Sequence, residues 1–184
     1  MFEKILKDAS SKWDVLNSPN NIWIRISYGA SGQAAGADKV FEKLSSMASS
    51  KNNVFVSLVG SMGLSYAEPL VDITFNNGIR VFYNNVDVNT AEYIFNSHVI
   101  DNDINHKYVF GQIVPDQSEP INGIIQIDKE KPLSLTKKIA TANCGNISPT
   151  DIYQYIANDG YSALERALNE LDPDKTLNLS LIHI

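Results

Sequence analysis

The sequence predicts an α/β fold, a small mixed sheet flanked by helices, and three observations carry that expectation. Two period-two stretches, Ile22-Trp-Ile-Arg-Ile26 and Val54-Phe-Val-Ser-Leu58, enclose a run with apolar residues at helical spacing. The turn signal Asn76-Asn-Gly78 separates two further alternating stretches, as in a β-hairpin. Behind the hairpin, Ala91, Ile94, Phe95 and His98 recur at the spacing of one helix face.

Taken in order, Ile5, Leu6, Trp13 and Leu16 form a loose helical stripe over 3–16, which Ser18-Pro-Asn-Asn21 breaks. The first strand follows, then a turn of small residues from Ser27 to Gly36. Ala37, Val40, Phe41, Leu44 and Met47 mark an amphipathic helix that ends at Ser49-Ser-Lys-Asn-Asn53. After the second strand, a loop from Gly60 to Pro69 leads into Leu70-Val-Asp-Ile-Thr-Phe75, which pairs across the turn with Ile79-Arg-Val-Phe-Tyr83. Asp87 suits the N-cap of the following helix. Strand–helix–strand requires a parallel pair with a right-handed crossover, and the hairpin makes the sheet mixed. That order, over residues 1–100, is the thioredoxin-like layout.

Residues 101–135 read as a connector punctuated by Pro115, Pro120 and Pro132, with Ile124-Ile-Gln-Ile127 a candidate short strand. Residues 136–178 read as the start of a separate unit that contains a short helical segment. Ser148 is a candidate N-cap, Pro149 fits the first helical position and Asp151 the capping box, with Ile147 and Ile152 as a hydrophobic staple. That helix carries Tyr153, Tyr155 and Ile156 and stops at Asn158-Asp-Gly160. A second places Leu164, Ala167, Leu168 and Leu171 on one face, and Asp172-Pro173 begins a third that soon stops.

Composition narrows the function classes. A net charge of -6 argues against nucleic acid, which needs a basic footprint. No apolar run reaches the length of a membrane span, and the N-terminus lacks the apolar core of a signal peptide. The single cysteine, Cys144, excludes an internal disulfide and fits a reducing, cytoplasmic setting, in which the sequons Asn146-Ile-Ser148 and Asn178-Leu-Ser180 stay unused. Gly29, Gly32 and Gly36 lie between strand and helix but match neither a dinucleotide fingerprint nor a P-loop, so a structural turn is expected. Cys144 has no resolving partner and reads as a buried structural thiol. His98 and His106 lack partners at ligand spacing, and Asp101, Asp103 and Asp116 read as solvated loop acids. Trp13 and Trp23 read as core anchors. Without a Cys-x-x-Cys at the first strand–helix junction, dithiol chemistry is excluded, and no catalytic residue is visible.

Two stretches carry a resemblance. Asn143-Cys-Gly-Asn-Ile-Ser-Pro149, continuing through Ile152-Tyr-Gln-Tyr-Ile-Ala157 to Gly160-Tyr-Ser-Ala-Leu164, resembles the NADH-binding flavoprotein subunits of respiratory complex I and NAD(P)-linked hydrogenases. There the segment runs Asn-Cys-Gly-x-Ile-Asp-Pro, Glu-Tyr-Ile-Ala, Gly-Gly-Tyr-x-Ala-Leu; Ser148 replaces an Asp and Asp159 the first Gly. Ile24-Arg-Ile26, Gly32-Gln-Ala-Ala-Gly-Ala37, Gly60-Ser-Met-Gly-Leu-Ser65 and Pro69-Leu-Val71 look like the thioredoxin-like [2Fe–2S] ferredoxin domain that precedes the flavin domain in hydrogenase-type members.

The resemblance implies a parent subunit that passes hydride from NADH to FMN and electrons onward to iron–sulfur centres, within a multi-subunit NADH dehydrogenase or hydrogenase complex. It also implies two losses. The family's ferredoxin domain holds its cluster with Cys-x4-Cys and Cys-x3-Cys, where this chain has Ile26 or a neighbour, Ser31, Ser61 and Ser65. Hydroxyls are far poorer ligands than thiolates, so a cluster-free docking domain is expected. The family's Gly-rich flavin loop and [4Fe–4S] cysteines, which would bind FMN, NAD and the cluster in a full-length parent, do not occur in this sequence. Leu179-Ser-Leu-Ile-His-Ile184 is what CTGTCTCTTATACACATC encodes, the end of a common transposon-based sequencing adapter. A truncated reading frame with a non-native tail at 179–184, inactive alone, is therefore expected. The alternative is a stand-alone thioredoxin-like interaction module without redox activity. Longer-read resequencing separates them: further coding sequence downstream supports the truncated parent, and a genuine stop after Ile184 the module.

Overall fold

The computed structural model describes residues 2–74, 77–104 and 106–181. Its centre is a five-stranded mixed sheet in the order β2-β1-β3-β4-β5, built from β1 (Ile22–Ser27), β2 (Val54–Val59), β3 (Val71–Thr74), β4 (Arg80–Tyr83) and β5 (Val109–Ile113). β1 and β2 are parallel, with Ile22 opposite Val54, and β3, β4 and β5 follow antiparallel. The α1 helix spans Phe2–Leu16, α2 Ala30–Ala34, α3 Ala37–Ala48 and α4 Val88–Ile94. The expected α/β fold is thus observed, with the crossover helix α3 joining the parallel strands and the hairpin completing the thioredoxin-like order.

Alternation gives the sheet two unlike faces. Ile24, Ile26, Val71, Ile73, Val81 and Tyr83 point to one side, where Val40 and Leu44 of α3 and Ala91 and Ile94 of α4 close the main core. Asp87 caps α4 by accepting from the Thr90 amide at 2.7 Å, as its position suggested. Beyond Ile94 the helix widens into a π-helical stretch, Phe95–Ile100, that turns His98 into the core against Tyr83, with Nδ1 2.6 Å from the phenol oxygen. The other face bears Trp23, Arg25, Ser27, Asp72 and Phe82, all buried, with Arg80 beside them. Here α1 covers the sheet, Trp13 meeting Trp23 edge to face at 5.5 Å, and α1 in turn packs on α5 (Ile152–Ala157). Both tryptophans therefore anchor this layer.

Several expectations need correcting. The stretch read as a connector supplies β5, which sequence pattern concealed because Gly111 and Gln112 interrupt its apolar run. Gln112 is fully buried yet satisfied, donating to the carbonyls of Ile121 and Ile124 and accepting from the Ile121 amide. The candidate strand at 124–127 contributes only a bridge between Gln112 and Gln126. The cap of α5 is Asp151, whose carboxylate accepts from the Tyr153 and Gln154 amides, so Ser148 and Pro149 lie before the helix. No staple forms, because Ile147 is buried while Ile152 is exposed. In the Ser27–Gly36 turn the chain makes the short helix α2. The helix α6 (Ser162–Glu170) leaves Leu164 and Leu168 exposed, and α7 runs Pro173–Leu181, longer than expected. Phe75 and Asn76 of the hairpin, and residues 182–184 of the tail, lie outside the described residues.

Burial lowers the His98 pKa to about 4, so the imidazole is neutral in the fold. The unfolded chain takes up a proton near the ordinary value of about 6.5, which the folded site refuses. Stability from this residue is therefore complete above about pH 6.5 and falls progressively towards pH 4, by about 3 kcal/mol in all. NMR titration of the imidazole should give a midpoint near 4 in the folded protein. A midpoint near 6.5 would show that the π-helical stretch does not bury the ring.

Candidate functional site

Parallel strands end on the same edge of a sheet, so the loops after β1 and β2 must meet. At Gly29 they touch: a Cβ built there would lie 2.9 Å from the Ser61 Cβ, an approach only glycine allows. Beneath the contact sits Glu68, buried. Its Oε1 accepts from Ser27 Oγ at 2.6 Å and Ser61 Oγ at 3.0 Å, and its Oε2 from the Leu70 amide at 3.0 Å. The carboxylate thereby ties the end of β1, the second loop and the start of β3 together. Of the positions singled out in the sequence, Ser61 belongs to this network. Ile26 points into the main core, and its neighbour Ser27 reaches the site instead. Ser31 lies half-buried on α2, and Ser65 is exposed at the start of a short 3₁₀ turn, Ser65–Ala67.

A second structure abuts the first. The segment 142–147 folds back on the Gly60 turn, with Gly145 N donating to Gly60 O at 2.6 Å and Gly60 N to Ile147 O at 3.2 Å. Arg80 clamps it from β4, donating to Asn146 Oδ1 at 2.7 Å and to the Gly145 carbonyl at 2.6 Å. The other edge of the same guanidinium grips Asp72 through Nε at 3.0 Å and Nη2 at 2.8 Å, and Arg25 reaches Asp72 Oδ1 at 2.6 Å. Burial alone would raise the Asp72 pKa, but Arg25 and Arg80 outweigh it and hold the carboxyl below its usual range. Burial also pulls Arg25 down to about 10, with repulsion from Arg80 adding to it and attraction to Asp72 opposing it. Cys144 packs on Gly60, whose added Cβ would lie 3.6 Å from Sγ, and is half-buried rather than buried. It opens on a cleft of about 350 Å³ with Met62, Arg80, Asp128 and Lys138, in which the buried Asp128 Oδ1 has no hydrogen-bond partner among the described residues.

Sequence reading missed Glu68, Arg25, Asp72 and Arg80. The available signal was an acid or a base within an otherwise apolar, strand-forming run, as in Ile24-Arg-Ile26 and Ala67-Glu-Pro-Leu-Val-Asp-Ile73. The donor set at the two loops does not suit a thiolate-held [2Fe–2S] cluster. Two hydroxyls are spent on Glu68, and the chain's one thiol lies on a different segment. Among the described residues, no group of three or more His, Cys, Asp or Glu is placed to hold a metal ion. No described helix is long and apolar enough to cross a membrane.

No family model matches the chain, and no curated protein matches it. Among solved structures, it is similar to the thioredoxin-like [2Fe–2S] ferredoxin from Aquifex aeolicus, at 13% identity over 54% of this chain and 99% of that one, with a TM-score of 0.45. Two serine-for-cysteine variants of that ferredoxin align at 15% identity over 49% of this chain and 98% of theirs, with TM-scores of 0.43 and 0.42.

Gly145 has φ +83°, and an added Cβ would clash with the Met62 side chain. Gly145→Ala should cost about 1–2 kcal/mol from the backbone alone and more from the clash. Hydrogen exchange should then quicken across 142–147 while β1, β3 and β4 keep their protection. Unchanged exchange in that segment would show that its docking does not depend on this contact.

Proposed function

We propose that this chain is the N-terminal part of an NADH-oxidising flavoprotein subunit of the complex I and NAD(P)-linked hydrogenase type. In this reading the thioredoxin-like domain carries no cluster and serves as a structural and docking element. The parent subunit binds FMN and NAD, delivers electrons to a [4Fe–4S] centre, and works in the cytoplasm beside other subunits of its complex. The observation that carries the reading is the seating of Asn143-Cys-Gly-Asn146 on the sheet through Gly60 and Arg80. The two stretches that separately resemble the ferredoxin-like domain and the flavin-domain lead-in thus interlock. The exposed leucines of α6 and α7 (Leu164, Leu168 and Leu177) support it further, since helices with bare apolar positions suit a chain that packs against more protein.

The chemistry assigned to this piece is restrained. Ser27 and Ser61 donate to Glu68, so the loop pair is closed by hydrogen bonds where the ferredoxin domain would hold iron. None of the residues described carries hydride or electrons in this reading.

The test is anaerobic iron–sulfur reconstitution of the expressed chain, followed by a visible spectrum with iron and flavin assays on the same sample. A folded, colourless protein without iron or flavin is expected. Stoichiometric [2Fe–2S] absorption would overturn the cluster-free assignment of Ser31, Ser61 and Ser65.

A further inference from the structure

On the far side of the Arg25–Asp72–Arg80 network, a pocket of about 390 Å³ opens between the end of α1 and the β3–β4 hairpin. Asn17, Ser18, Asn21, Thr74 and Asn77 line it together with Arg25 and Arg80, and among the described residues no acid does. The charge count behind it is uneven. Two guanidiniums share one carboxylate, which leaves a net charge of about +1 in a low-dielectric setting. Arg25 spends Nε and Nη2 on Asp72 and Nη2 again on Thr74 Oγ1, while its Nη1 has no partner among the described residues. That side chain is only 5% exposed, and it lines the pocket. Two of the C-terminal carbonyls of α1 are engaged by the asparagines that line the pocket: Trp13 O by Asn17 Nδ2 and Val15 O by Asn21 Nδ2.

We propose that this pocket binds a small oxyanion, a carboxylate or phosphate group, seated on Arg25 Nη1 with the side-chain amide of Asn77 beside it. Guanidinium is the side chain best shaped for such a group, because its paired N–H donors match two oxygens at once. Bound charge would complete the neutralisation that Asp72 leaves half done. The site lies on a different part of the sheet from the Ser27–Glu68–Ser61 network and does not depend on any cluster or flavin.

The experiment titrates the full chain with inorganic phosphate and, separately, with acetate at constant ionic strength against chloride. The readouts are thermal midpoint and the ¹⁵N shift of the Arg25 Nε–H. Saturable binding of at least one is expected, and which one binds assigns the oxyanion class. Asn77→Asp keeps the oxygen that accepts from the Ile79 amide at 3.1 Å, so the turn should hold while a negative charge enters the mouth. It should weaken binding by about tenfold or more. Arg25→Gln should abolish binding in a protein checked for folding by circular dichroism. Saturation by neither anion, or binding that survives Asn77→Asp unchanged, would overturn the proposal.

Discussion

The buried carboxylate of Asp72 is the interaction on which the rest of this structure depends. It stands at the middle of the sheet's polar face and receives Arg25 from β1 and Arg80 from β4, so one side chain joins three adjacent strands. Removing Asp72 would leave two like charges stranded where water is scarce, a loss of the order of 3–5 kcal/mol for a buried pair. Replacing the whole set with well-packed apolar residues of similar volume is expected to be near neutral in stability. What the charges supply is register: only one alignment of β1, β3 and β4 brings both arginines to one acid.

The same network reaches outward. Arg80 is shared between Asp72 and the 142–147 segment, which makes a loop distant in sequence a continuation of the sheet's polar layer. Trp13 on Trp23, Lys12 over the Tyr153 ring at 3.2 Å, and α1 against α5 extend that layer to the helices. The two faces therefore divide the labour. The apolar face under α3 and α4 holds the domain together, and the polar face decides what is attached to it.

Legibility followed the same division. The apolar face was plain in the sequence, because Ile24, Ile26, Val71, Ile73 and Val81 alternate with period two and Val40 and Leu44 keep helical spacing. The polar face was opaque, since a charged residue at an alternate strand position ordinarily faces water, and nothing local shows that Arg25 and Asp72 lie opposite each other on adjacent strands. The β5 strand hid for a related reason: its buried Gln112 looks like a loop residue until Ile121 and Ile124 supply its partners. Ser148 was the better N-cap by local pattern, yet Asp151 caps, while the Ser148 amide is held by the Gln154 side chain. Among the site residues, Ser61 was found through its position in a loop that resembles a known one. Glu68 was not, because its role exists only once two loops have closed on it.

Glu68 also governs which changes the loop pair can accept in succession. Its oxygens are satisfied by two hydroxyls and one amide, so a thiol at position 61, a weak donor on a longer bond, would leave a buried carboxylate short of a partner at a cost of about 1–3 kcal/mol. One substitution towards a metal-binding loop is therefore penalised before any second thiol could reward it, and the loops are held in their present chemistry by a barrier in sequence space.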